Sequence, residues 1–278
     1  MKLQLAISTC PNDTFMFHAI IHNKIDLLGL EFDFQYKDVQ ELNELLARGE
    51  VDCSKASFHA ALHLANDYGV LPAGAALGRG VGPVVLTNKE GAEPNEDSIV
   101  CCPGAWTTAK LLFQFAYPQA TRIDNRIFSD IMPSVQDGTS DFGVVIHEGR
   151  FTYQNYGLFQ IADLGEVWEA RTGCPIPLGG ILAKRSLPSD VQVRLAQLIR
   201  QSVEYGFANR DETLATMKLH AQEMDDNVIW AHVDLYVNEY SVDLGQDGAN
   251  ALQQMAQIAK STGIVADELS ELVIFPTA

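Results

Sequence analysis

The chain has 278 residues, enough for two ordinary domains or one large one. Its 19 basic and 36 acidic side chains give a formal charge of −17, a field that repels phosphates and excludes nucleic acid as a natural partner. The longest apolar runs are strand-length, well short of the roughly 20 residues a bilayer helix needs, so membrane insertion is not expected.

The first residues, Met1-Lys-Leu-Gln-Leu-Ala-Ile-Ser8, lack the length and cleavage region of a signal peptide. They read as a first strand over Lys2–Ser8, and a cytoplasmic location is expected. Asn12 or Asp13 then caps a helix from about Thr14 to Asn23. Free N–H groups at that helix start also favour anions, so Asn12 and Asp13 serve capping, ligand contact or both. A second strand runs over Leu30–Gln35. Asp38 caps a helix over Val39–Arg48, with Leu42, Leu45 and Leu46 on one face and Gly49 as its stop. Asn43 falls within that apolar face, which turns a polar group toward an interior surface.

A short strand, Val51–Ser54, leads to Lys55-Ala-Ser57 and a helix over Ser57–Asn66. A lysine after an apolar strand is costly to bury unless paired. Lys55 with Ser54 and Ser57 can hold a carboxylate by charge and hydroxyl donors, or it is an exposed lysine at a helix start. After the strand Ser98–Cys102 comes Pro103-Gly-Ala-Trp-Thr-Thr-Ala109. Thr107 and Thr108 there open a helix and either cap it or bind an anion with its free N–H groups.

The segment Leu45-Leu-Ala-Arg-Gly-Glu-Val-Asp52 has an echo in Met132-Pro-Ser-Val-Gln-Asp-Gly-Thr-Ser-Asp141. Each is a helix end, a glycine, and an Asp three residues later that opens a strand. The first strand leads to Lys55. The second, Gly143–Ile146, ends on His147 and Glu148. Ligands of open α/β sheets sit outside the carboxyl ends of strands, and imidazole is the side chain whose free pKa lies nearest neutrality. His147 is therefore the candidate for chemistry. Strand alternation points Glu148 the other way, as a structural residue.

Alternating strands and helices indicate an α/β chain. The runs Gly82–Lys89 and Pro177–Lys184, apolar with basic ends, are expected to cross between two lobes. Lobe 1 then comprises 1–88 and 180–278, including helices over Pro188–Gly206, Asp211–Gln222, Asp225–Val237 and Gly248–Ser261, and lobe 2 comprises 89–179. This is the layout of type 2 periplasmic-binding-protein folds, with a ligand cleft between lobes. The pairs His18/His22 and His59/His63 have i, i+4 spacing but no His-Glu-x-x-His, and they read as packing or surface residues. His220 and His232 show no partners. The five cysteines are odd in number and form no Cys-x-x-Cys pair, which argues against a disulfide framework and a zinc site. They read as small buried residues. No nucleophile elbow or dinucleotide loop is present.

Five segments together resemble the 1,4-dihydroxy-6-naphthoate synthases of the futalosine route to menaquinone. They are Ser-x-Cys-Pro-Asn-Asp-Thr-Phe at 8–15, Asp-Val-x-x-Leu-Asn at 38–43, Gly-Ala-Ala-Leu-Gly-Arg-Gly-Val-Gly-Pro at 74–83, Ile-His-Glu-x-Arg-Phe-Thr-Tyr at 146–153 and Val-Ile-Trp-Ala-His-Val at 228–233. The resemblance runs nearly end to end. It implies a lyase that acts on cyclic dehypoxanthine futalosine, with His147 as proton acceptor. It implies substrate contacts at Lys55, Ala56 and Ser57 in lobe 1 and at Thr107 and Thr108 in lobe 2, with Asp38 and Asn43 as further contacts. Lys55 would offset the substrate carboxylate within an acidic protein. No metal or organic cofactor is called for, and no signal separates a monomer from a homodimer. The rival reading is a binding protein of the same fold that captures a small acid without chemistry.

Overall fold

The structure, a computed structural model, describes residues 1–147, 149–221 and 225–276. Glu148 and the expected helix end at Gln222 lie outside the described residues. The first half of the chain forms β1 (Lys2–Ser8), α1 (Pro11–Ile21), β2 (Glu31–Lys37), α2 (Val39–Ala47), β3 (Cys53–Ser57), α3 (Phe58–His63), β4 (Tyr68–Val70) and β5 (Ala76–Gly78). The middle forms β6 (Val84–Thr87), β7 (Val100–Cys102), α4 (Thr108–Ala116), β8 (Ile123–Asn125), α5 (Phe128–Gln136), β9 (Phe142–Val145), α6 (Gly149–Thr152), β10 (Phe159–Asp163) and α7 (Leu164–Thr172). The last part forms β11 (Ile176–Lys184), α8 (Ser189–Ala208), α9 (Arg210–His220), α10 (Asp226–Tyr236), α11 (Glu239–Val242) and α12 (Gly245–Ser261).

The strands build two sheets. One has the order β2-β1-β3-β11-β4 with β5 also on β11; the other has the order β10-β6-β9-β7-β8. We call each sheet with its helices a lobe. Within them lies one motif used twice. In β1-α1-β2-α2-β3 the first strand pairs in parallel with both others, and β7-α4-β8-α5-β9 does the same. Each motif gains a fourth, antiparallel strand: β11 on β3 and β6 on β9.

The sequence echo marks corresponding points in these motifs. Gly49 and Gly138 both take positive φ, +69° and +78°, to turn the chain out of a helix. Asp52 then accepts a hydrogen bond from the Gln4 amide at 3.0 Å, and Asp141 accepts one from the Ile99 amide at 2.9 Å. Each Asp also faces the lysine at or just past the end of the fourth strand, Lys184 at 3.1 Å and Lys89 at 3.9 Å. One side chain in each lobe thus fixes the start of a strand to its two neighbours.

The passage between sheets differs from the expected crossing strands. Val84–Thr87 lies wholly in the second sheet, whereas the sequence pattern places residues 1–88 in lobe 1. Ile176–Gly179 lies wholly in the first, where it pairs with Ala76–Gly78. The chain changes sheet at about residues 79–83 and 173–175. Two glycines meet there: a Cβ on Gly82 would lie 2.1 Å from the Gly165 amide nitrogen. Arg150 closes the same point, bonding the Gly82 carbonyl and pairing with Asp163 at 2.6 Å.

An apolar core runs through both lobes, from Leu42, Phe58 and Tyr68 to Val100, Phe113 and Trp168. A second core lies between the first sheet and the C-terminal helices, where Phe15, Phe17, Leu195 and Met217 are buried. Helices α8, α9 and α10 pack against α1, which carries His232 to the cleft beside the start of α1. No helix among the described residues is long and apolar enough to cross a membrane.

Candidate active site

Two cavities meet in the cleft. The inner one is lined by Lys55, Ala56 and Ser57 from lobe 1 and by Thr107, Thr108 and Ala109 from lobe 2. The outer one is lined by Ser8, Thr9, Cys10, Lys37 and Asp38, among others. Both open to solvent. Three residues line both: Val39, His147 and His232. The two imidazoles therefore stand where the cavities join.

His147 follows β9 directly, one residue past Ile146. Its φ is +53°, a left-handed conformation that few non-glycine residues adopt. Such a backbone costs on the order of 1 kcal/mol and clusters at functional sites. Gly149 makes the turn feasible, because a Cβ there would lie 2.3 Å from Val145 Cγ1. The ring is half-buried, edge-on to Phe128 at 5.5 Å between centroids and nearly parallel to His232 at 5.9 Å. Its Nδ1 lies 3.4 Å from Cys10 Sγ, the N-cap residue of α1 in the opposite lobe. The ring as a whole lines both cavities.

Lys55 sits inside β3 rather than after it, and it is buried. Its ammonium lies 2.8 Å from Asp13 Oδ1. The charge expected to meet a substrate carboxylate is thus already met by a protein carboxylate. Asp13 is wholly buried and lines neither cavity. It does not cap α1, which begins at Pro11; it accepts from Ser8 Oγ at 2.7 Å and from Asn12 Nδ2 at 2.9 Å. Asn12 does reach the inner cavity wall, and its Oδ1 lies 2.9 Å from His232 Nε2.

The remaining expected residues divide by task. Ser57 lines the inner cavity, and its hydroxyl has no hydrogen bond to the described residues. Its amide donates to Asn43 Oδ1 at 3.1 Å. Asn43 lines neither cavity, so it fixes Ser57 from behind. Asp38 forms the capping box of α2 with Glu41 and also lines the outer cavity. Thr107 caps α4 by accepting from the Lys110 amide. Thr108 is an interlobe tie: its hydroxyl donates to the Leu178 carbonyl at 2.6 Å and accepts from the His59 amide at 3.2 Å. The start of α4 lines the inner cavity through Thr107, Thr108 and Ala109, while the Lys110 and Leu111 amides donate to the Thr107 carbonyl.

Three contributors were missed by the sequence reading. Cys10 and His232, each within a segment that carries the family resemblance, converge on His147 from distant parts of the chain, and nothing in their spacing pairs them with it. His59, read as packing, joins the lobes through Nδ1 and the Thr107 carbonyl at 3.1 Å. Burial drives its pKa down to about 4. The same effect, with His147 and Lys55 nearby, holds His232 well below the ordinary imidazole range.

A sequence model of the menaquinone biosynthesis family matches residues 3–261. The 1,4-dihydroxy-6-naphthoate synthase of Streptomyces coelicolor is 41% identical over 99% of this chain and 98% of its own. That of Thermus thermophilus is 40% identical over 95% of this chain and 96% of its own. A protein of known structure from Archaeoglobus fulgidus superposes with a TM-score of 0.90 at 30% identity, covering 95% of this chain and 98% of that one. The alkanesulfonate-binding protein of Xanthomonas axonopodis, solved with MOPS bound, superposes at 0.73 with 12% identity, over 96% of this chain and 95% of that one. The last match gives the fold, a periplasmic-binding-protein-like pair of lobes. The first three give more than the fold: the chain belongs to the menaquinone biosynthesis family.

Proposed function

We propose that this protein is a carbon–carbon lyase that forms 1,4-dihydroxy-6-naphthoate from cyclic dehypoxanthine futalosine, with His147 as general base. The carrying observation is His147 itself: a left-handed residue at the junction of two cavities, with Nδ1 on Cys10 and the ring lining both.

The substrate joins a benzoate to a sugar-derived spiro ring. The inner cavity suits the benzoate. Its carboxylate would sit at the α4 N-terminus, where the helix dipole favours an anion, with the Ser57 hydroxyl as a donor. Lys55 would act through its pair with Asp13, keeping the wall neutral rather than supplying a free charge. The outer cavity, walled by Ser8, Thr9, Lys37 and Asp38, suits the hydroxylated part. The bond to be broken would then lie beside His147. Proton removal by imidazole contributes typically about 10²–10⁴-fold, and aromatisation to the diol drives the fragmentation. Closure of the lobes would exclude water from the site. We place this activity in the cytoplasm.

The test is to supply purified protein with cyclic dehypoxanthine futalosine and follow the naphthoate by its absorbance and mass. Formation of the diol with multiple turnovers is expected. Tight binding without conversion would overturn the proposal and support a non-catalytic acid-binding protein.

A further inference from the structure

His232 lies at the heart of the cleft, yet no step above uses it. It is wholly buried on α10 and lines both cavities beside His147. Its hydrogen bonding is fixed by a chain of partners whose directions can be read one by one.

The Lys55 ammonium can only donate, so Asp13 Oδ1 accepts from it at 2.8 Å. The same oxygen accepts from Asn12, so the group 2.9 Å away is the Asn12 NH₂. That sets the Asn12 amide: its Oδ1 faces His232 Nε2 at 2.9 Å. An amide oxygen only accepts, so Nε2 carries the hydrogen. A second proton on Nδ1 would make a buried cation between Lys55 and His147, and burial with these neighbours opposes it. Nδ1 therefore presents a bare lone pair. It has no partner among the described residues. A buried acceptor left unpaired is costly, and of the six such side-chain atoms among the described residues, His232 Nδ1 is the one whose ring lines the two cavities of the cleft, where a ligand can supply the partner.

We infer that His232 is a second functional imidazole of this cleft: a neutral acceptor that takes a hydrogen bond from a hydroxyl of the bound ligand and orients it against His147. The division of labour follows from the two environments. His147, half-buried and backed by Cys10, exchanges protons. His232, locked through Asn12, Asp13 and Lys55, reads a hydroxyl and keeps its own proton on Nε2. The inference rests on the ligand being the hydroxylated naphthoate or its precursor.

The test uses the wild-type protein with ¹⁵N-labelled histidine, His232 being assigned by comparison with His232→Asn. Under reducing conditions, one sample receives 1,4-dihydroxy-6-naphthoate and another receives 2-naphthoate, which has the carboxylate and rings without the hydroxyls. The bare Nδ1 resonance is expected to move upfield with the dihydroxy compound alone, while Nε2 stays protonated. A His147 response to the diol with no change at His232, or an equal His232 response to both compounds, would overturn the inference and leave the activity untouched. No response at either histidine would sink the activity reading and this inference with it.

Kinetics give a second arm. His232→Leu removes the acceptor, and kcat/KM should fall about 10–100-fold, the cost of one unpaired hydroxyl at 1.4 kcal/mol per tenfold. His232→Asn keeps an oxygen near the Nδ1 position and should recover most of that loss. Equal activity of both variants and the wild type would contradict the assignment.

Discussion

The two lobes share a scaffold and end it differently. In each, a helix closes on a left-handed glycine, an Asp ties the next strand to its neighbours, and a lysine at or just past the end of an antiparallel strand faces that Asp. In lobe 1 the strand so anchored, β3, runs on through Lys55 into a closed network of Asp13, Asn12 and His232. In lobe 2 the equivalent strand, β9, stops at an imidazole in a strained backbone that opens on both cavities. A common fold therefore carries a closed polar network on one side and an imidazole open to both cavities on the other. The fold alone does not set the chemistry, since it is shared with an alkanesulfonate-binding protein.

The contrast can be broken most severely in the lobe 1 network. Lys55→Met leaves Asp13 buried without its cation. Removing one partner of a buried pair costs about 3–5 kcal/mol. Urea unfolding should show a loss of that size. The exposed pair in lobe 2, Lys89 with Asp141, should show about 0–1 kcal/mol when Lys89→Met is made. Equal losses would mean that the two lobes are not built with the contrast described.

Acid should destabilise the fold through the buried His59. His59 titrates near 4 in the folded protein against 6.5 for a free imidazole, so it contributes stability fully above about pH 6.5. That contribution is lost as pH falls toward 4, because the unfolded chain takes up the proton first. Between pH 7.5 and 4.5 the wild type should lose about 2 kcal/mol more than His59→Phe does, each measured by denaturant unfolding at both pH values. An identical pH dependence in the two proteins would remove His59 from the account.

The equivalence of the two strand anchors gives the smallest effect. Asp52→Ala and Asp141→Ala each remove a charged acceptor from a strand amide, worth about 1–3 kcal/mol. The two losses should agree to within about 1 kcal/mol. A neutral result at one of them would show that the repeat is one of shape alone.

The repeat was legible in the sequence because its signals are local and chemical: glycine for a positive φ, and Asp three residues later for an exposed strand amide. Asn43 was legible as buried, since it falls among Leu42, Leu45 and Leu46; that it holds Ser57 was not. The runs 82–89 and 177–184 read correctly as strands, but an apolar run does not say which sheet it joins. Lys55 and Asp13 each stood out alone, and nothing in their spacing pairs them. His147 could be singled out because a strand end is a local feature. His232 and Cys10 could not, because they reach His147 only after α10 packs on α1 and the lobes face each other. What was missed depends on long-range packing.

The proposed mechanism takes its base from lobe 2 and its binding contacts from both lobes. It is tested most directly with His147→Ala, measured for turnover of cyclic dehypoxanthine futalosine and, by calorimetry, for affinity toward 1,4-dihydroxy-6-naphthoate. The account predicts a rate lower by at least about 10²-fold with affinity nearly unchanged. Turnover equal to the wild type, in a variant that still binds the naphthoate, would contradict it.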